Sequence, residues 1–180
     1  KRNQHCVYFV NRGCAHEQLA EAEAAAGLDP RPSYGRAIVD YGAAIARNPD
    51  LAVGYHNRGN AHMGMGDGER AVGVDPRGSY RRAIADYDQA LMRDPQDASS
   101  YLGRGSAHER LGHQELDRGG DPFVEFRESI ADFDAAKPLE SGSAIAYLDC
   151  GLAWMALGKV EAATGVDAAP SFERACAELQ

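Results

Sequence analysis

Apolar, small and ring-bearing residues fall at helical spacing along this chain, in blocks separated by short punctuated gaps. Between Ala52 and Val72 they sit at Ala52, Tyr55, Gly59, His62 and Met63, on one side of a helix. A second stripe follows at Tyr80, Ala83, Ile84, Tyr87, Ala90 and Leu91. Between the stripes lie Gly73 and the pair Asp75-Pro76. Glycine enters the left-handed region cheaply, so it suits the position just past a helix end. Asp before Pro reads as an N-cap and a first-turn proline: the carboxylate accepts orphan N–H groups, and proline has none to leave unpaired. Asp94-Pro95 closes the second helix.

This grammar returns at a fixed interval. Arg12-Gly13, Arg58-Gly59 and Arg104-Gly105 are 46 residues apart, with Cys150-Gly151 in the fourth place. Asp29-Pro30, Asp75-Pro76 and Asp121-Pro122 keep the same step, with Asp167 fourth. Gly27, Gly73, Gly119 and Gly165 follow, as do Ser33-Tyr34, Ser79-Tyr80, Glu125-Phe126 and Ser171-Phe172. A repeat of this size implies an array in which each unit buries its apolar face against its neighbours. The expected organisation is one domain over residues 1–180, with repeats near 6–51, 52–97, 98–143 and 144–180. First helices are expected near 6–26, 52–72, 98–118 and 144–164, and second helices near 31–47, 77–93, 123–136 and 169–179. Gly64, Gly66 and Gly68 each cost about 1 kcal/mol relative to Ala inside a helix. A kink or early stop near Met65 is the expected consequence.

Composition narrows the picture. The apolar fraction of 44% is that of a folded chain. No stretch approaches the apolar run a membrane span needs. A net charge of −8 argues against a nucleic-acid surface and is compatible with a basic partner. Cys6, Cys14, Cys150 and Cys176 show no CxxC spacing and read as reduced, partly packed thiols. There is no signal peptide, which favours the cytoplasm; without an initiator Met, the periplasm stays open. Neither a nucleophile–base set nor a phosphate loop stands out: Gly64-Met65-Gly66-Asp67-Gly68 lacks a preceding strand and a lysine. No enzyme activity, cofactor or metal site is expected.

The residues resemble the tetratricopeptide repeat, whose pattern is W-x2-L-G-x2-Y, then A-x3-F, then P. The second repeat reads Tyr55-x2-Arg58-Gly59-x2-His62, then Ala83-x3-Tyr87, then Pro95. The first gives Phe9, Arg12, Gly13, His16, Ala37, Tyr41 and Pro49; the third Tyr101, Arg104, Gly105, His108, Ser129 and Phe133, without the final proline. The fourth gives Tyr147, Cys150, Gly151, Trp154, Ala175 and Leu179. The runs Asn-Arg-Gly-Asn-Ala and Ala-Ile-Ala-Asp-Tyr-Asp-Gln-Ala-Leu look like bacterial members. The period departs from the family's 34 residues by 12. Because a helix-end glycine and an Asp-Pro pair recur inside the added segment, lengthened helices are expected rather than a loop. The resemblance thus implies an all-α, right-handed superhelical solenoid of four helix-turn-helix repeats.

It also implies an inner groove built from first helices. By resemblance the groove positions are Val10, Asn11 and Cys14; then His56, Asn57, Asn60 and Met63; then Leu102, Ser106 and Glu109; then Leu148, Asp149 and Leu152. Val7, Glu17, Val53, Ser99, Gly103, Ile145 and Met155 extend the same face. Asn11, Asn57 and Asn60 could hydrogen-bond a partner's main chain. The clamp with which co-chaperone members hold a C-terminal carboxylate needs lysines, and this surface has none. His16, His62 and His108 occupy the family's tyrosine slot, too far apart to share a metal. Arg12, Arg58 and Arg104 need partners if they are partly buried, and Asp40, Asp86 and Asp132 recur suitably; Cys150 and Glu178 replace both in the fourth repeat. A solvated arginine ladder is the alternative. The expected function is a scaffold for a protein or peptide partner, without nucleic acid or membrane insertion. The alternative is a structural module that assembles with itself through the repeat ends.

Overall fold

The computed structural model describes residues 2–139 and 144–180, with side chains from residue 6 onward. Regular structure among these residues is helical throughout: α1 (Arg2–Ala25), α2 (Arg31–Arg47), α3 (Ala52–Ala71), α4 (Arg77–Arg93), α5 (Ala98–Asp117), α6 (Phe123–Ala136), α7 (Ala144–Thr164) and α8 (Ala169–Glu178). The sequence-based ranges match closely, apart from α1, which begins earlier than residue 6. The added residues lie in helices rather than in a long loop, most consistently in the first helix of each pair: α3, α5 and α7 have 20, 20 and 21 residues, whereas α4, α6 and α8 have 17, 14 and 10.

Both ends of each junction are chemically determined. Gly27, Gly73, Gly119 and Gly165 have φ of +72°, +75°, +72° and +78°. At each one the chain makes the paired bonds of a Schellman turn. Leu28 N–H donates to the Glu23 carbonyl (2.8 Å) while Gly27 N–H donates to Ala24 (3.0 Å). The next helix then begins on an aspartate. Arg31, Arg77, Phe123 and Ala169 each donate a backbone N–H to the Oδ1 of Asp29, Asp75, Asp121 and Asp167, at 3.1, 3.2, 3.0 and 3.0 Å. Pro30 is already helical (φ −83°, ψ −11°), so Asp29 acts as the cap and Pro30 as the first-turn residue.

The chain forms two compact units, Lys1–Pro95 and Gln96–Gln180. In the first, α1 pairs with α2, α3 pairs with α4, and α3 packs on both α1 and α2. Its core joins Ala20, Tyr34, Ala37, Tyr41 and Ala61, with a second cluster of Ile45, Tyr55 and Ala90. In the second unit, α5–α6 and α7–α8 are the pairs, and α7 packs on α6 and α5. There the core joins Phe126, Ile130, Phe133, Cys150, Ala153, Leu157 and Val160.

The expected kink near Met65 does not occur: α3 runs unbroken through all three glycines. Their absent side chains make room for neighbours. A Cβ at Gly64 would overlap the Tyr34 ring, and one at Gly66 would lie 2.5 Å from Tyr80 Cε1. The backbone cost of glycine is offset by the burial of two aromatic rings against the helix. The glycine of each Arg-Gly pair does the same. A Cβ at Gly13, Gly59 or Gly105 would lie 2.6–2.8 Å from the ring of Tyr41, Tyr87 or Phe133.

Candidate binding groove

First helices supply the candidate groove positions, and second-helix tyrosines hydrogen-bond to residues among them. In the first unit, Val10, Cys14, Glu17, Glu21 and Ala24 form one line along α1, and Asn57, Asn60, Gly64, Asp67 and Ala71 form one along α3. The two lines meet where Asn57 Nδ2 lies 3.7 Å from Cys14 Sγ. Tyr41, on α2, donates its hydroxyl to Glu17 Oε2 at 2.6 Å and lies 3.4 Å from Cys14 Sγ. Tyr87, on α4, donates to Asn60 Oδ1 at 2.6 Å, while Asn60 Nδ2 contacts His56 Nε2 at 3.1 Å. Asn60 is therefore held by the fold, which leaves less of its amide for a partner than the sequence suggests. Val10 and Cys14 pack partly on the core beneath. Asn11 is exposed, and His56, Asn57 and Met63 are half-buried.

The second unit carries a different lining. Ile145, Leu148 and Leu152 stand 61%, 49% and 39% exposed along α7, an apolar strip open to solvent. Ser106, Glu109 and Asp149 are half-buried beside it, and Leu102 leans onto the core. Burial raises the pKa of Glu109, with the nearby Asp149 charge adding to it, and burial raises that of Asp149. Burial likewise raises Glu17, against the phenol hydrogen bond of Tyr41.

Behind the groove the Arg and Asp columns form two-point ion pairs. Arg58 Nε and Nη2 donate to Asp86 Oδ2 and Oδ1 at 2.8 and 2.6 Å, and Arg104 does the same with Asp132 at 2.9 and 2.6 Å. Arg12 pairs with Asp40 in the same way. The carboxylates are buried and the guanidinium groups reach the surface over tyrosine rings: Arg58 on Tyr55, Arg104 on Tyr101.

In the fourth repeat the cation comes from elsewhere. Lys137, at the end of α6, places Nζ 2.6 Å from Glu178, 2.7 Å from Asp134 and 3.2 Å from Cys150 Sγ. Asp134, Cys150 and Glu178 are the one group among the described residues close enough to share a metal ion, and the lysine ammonium lies among them. The four cysteines are free thiols.

The histidines do not gather into one site. His16 and His62 lie 3.9 and 3.8 Å from Asp40 and Asp86, and His108 Nδ1 lies 2.7 Å from Glu125. Burial lowers the His62 pKa to about 4, against the pull of Asp86. The feature that sequence reasoning missed is a cleft of about 540 Å³ at the far end of the first unit's groove. Leu28, Pro30, Tyr34, Gly64, Asp67 and Val72 line it. Its signal in the sequence was Gly64, whose bare backbone lets the Tyr34 ring pack as the cleft floor.

A family model described as a TPR repeat matches residues 77–112, which span α4 and most of α5. No protein of curated function matches the chain by sequence. Among solved structures, the Arabidopsis OM64 TPR domain is similar with a TM-score of 0.62 at 21% identity, covering 85% of this chain and 97% of that one. The second TPR domain of human RPAP3, solved in complex with the HSP70 peptide SGPTIEEVD, gives 0.56 at 20%, covering 85% and 98%. A thermophilic TPR protein of Thermus thermophilus gives 0.51 at 18%, covering 92% and 73%. The helical hairpins have the tetratricopeptide-repeat fold, here with lengthened helices, and residues 77–112 carry that family's own sequence pattern.

Proposed function

We propose that the chain is a scaffold that binds a peptide or protein segment along its first-helix faces. The observation that carries this reading is the strip of Ile145, Leu148 and Leu152, apolar and open on α7 beside the half-buried carboxylates of Glu109 and Asp149. An isolated exposed leucine needs no explanation, but a line at helical spacing on a groove face offers anchors for an amphipathic segment. Binding of peptides by similar TPR domains supports the reading. The peptide type differs: those domains hold segments ending in Glu-Glu-Val-Asp. Here the candidate faces present Glu17 in the first unit, Glu109 and Asp149 in the second, and no lysine at the candidate positions of either, so each would repel an acidic terminus.

A peptide-display selection followed by titration calorimetry tests the scaffold. Leu148→Asp with Leu152→Asp should abolish capture without lowering Tm, because both side chains are exposed. Undiminished capture by the double variant refutes the groove assignment. A second reading, self-association, rests on Phe172. It is 37% exposed, whereas Tyr34, Tyr80 and Phe126 in the same column are 8%, 0% and 0% exposed. Sedimentation across a concentration series, with Phe172→Asp as control, tests it.

A further inference from the structure

The cleft in the first unit lies where the lengthened parts of α1 and α3 run past the α1–α2 turn. Two of its walls are aliphatic: Leu28 and Val72 are 62% and 53% exposed. Its floor is the Tyr34 ring, which packs directly on the bare backbone of Gly64, and at Gly68 the missing side chain leaves room for Arg31 and Pro30. Tyr34 is 8% exposed, yet its hydroxyl makes no hydrogen bond among the described residues while the equivalent Tyr80 hydroxyl donates to Asp67 at 2.9 Å. The ring is buried while its oxygen is left to the open cleft, where a donor can reach it.

The charge around that hydroxyl has one sign. Asp67 lines the cleft; burial raises the Tyr34 pKa, and the charges of Glu21, Glu17 and Asp67 add to it. Asp29 is also on the wall, and its own cation, Arg31, is bound to it at 2.7 Å through both Nε and Nη2. An anion would be repelled here. A purely apolar group would leave a phenol oxygen and a carboxylate facing hydrocarbon. A cation on an aliphatic stem matches every wall. The stem lies along Leu28 and Val72, the head donates to the Tyr34 oxygen, and Asp67 supplies the opposing charge.

We propose that this cleft receives a lysine or arginine side chain from the partner segment. The proposal rests on the scaffold reading and specifies its partner as basic.

Two-dimensional NMR of the labelled chain tests it with N-acetyl-arginine amide and N-acetyl-lysine amide, against N-acetyl-norleucine amide and N-acetyl-glutamate amide. The cationic probes should give saturable shifts at Gly64, Asp67, Gly68 and Ala71, and the other two should not. Asp67→Asn should weaken binding about tenfold through the lost charge. Asp67 also holds Tyr80, so Tyr34→Phe serves as the independent variant. It removes a hydroxyl without a partner, so it should weaken the cationic probes about threefold with Tm unchanged. Equal binding of the norleucine amide, shifts confined to other residues, or no saturable shift with either cation overturns the proposal. If display yields groove-binding peptides without Lys or Arg, the scaffold stands and the basic pocket fails. If display yields nothing but arginine amide saturates the cleft, the pocket stands and the scaffold fails.

Discussion

Arg58 and Asp86 face each other across the α3–α4 hairpin and share two parallel hydrogen bonds, 2.8 and 2.6 Å long. Asp86 is 5% exposed, so its charge depends on this partner. Arg58→Met should destabilise the first unit by about 2–4 kcal/mol, because a buried carboxylate is left alone. Adding Asp86→Leu should restore at least half of that loss, since an apolar pair can replace an ionic one. Equal urea midpoints for the single and double variants would refute the pairing as a structural unit.

Two kinds of glycine can be separated by mutation. Gly73 has φ of +75° with nothing within 4 Å of an added Cβ, so Gly73→Ala costs only backbone strain, about 1 kcal/mol. Gly66→Ala would drive a methyl into the Tyr80 ring and should cost about 2–3 kcal/mol. Gly66→Ala combined with Tyr80→Leu should recover part of that cost, whereas Gly73→Ala with the same change should not. Thermal denaturation of the four variants distinguishes them.

His62 sets a pH dependence of known sign. Its folded pKa, about 4, lies below the ordinary 6.5, so the unfolded chain takes up the proton first. Stability linked to His62 is complete above pH 7 and is lost as pH falls from 6.5 towards 4, by up to about 1.4 kcal/mol per unit. Glu17, Glu109, Asp132 and Asp149 have raised pKa values and work in the opposite direction. The comparison of wild type with His62→Gln isolates the effect: wild type should lose ground to the variant between pH 6.5 and 4.5. A constant difference across that range would show that His62 is not held neutral by the fold.

The thiols should react in a fixed order. Cys176 is exposed, whereas Cys150 is fully buried and its pKa is pushed up to about 11 by burial, despite the hydrogen bond from Lys137. Maleimide labelling at pH 7.5, followed by peptide mass spectrometry, should modify Cys176 first and Cys150 only on unfolding. Lys137→Met should speed the labelling of Cys150, because the fourth repeat loses the cation that ties α6 to Glu178.

Much of this was legible before any coordinates. A helix-end glycine, an Asp-Pro start and an Arg–Asp column each act through neighbours a few residues away or recur at the period, so a single sequence displays them. Lys137 was not legible because it belongs to no column: its counterparts one and two periods earlier are Leu91 and Ile45. The glycines of α3 misled because propensity counts only what a helix loses, and the rings they admit, Tyr34 and Tyr80, lie on other helices. Asn60 looked available because its binder, Tyr87, is 27 residues away. The cleft escaped notice for the same reason: its floor belongs to α2 and its opening to α3.

Tyr87 has its ring in the interior, 1% exposed, and its oxygen on Asn60 at the groove. A segment that competes for the Asn60 carbonyl therefore also strips a hydroxyl of its acceptor. Under the proposed scaffold reading, engagement at Asn60 would therefore be felt by the α3–α4 hairpin behind it.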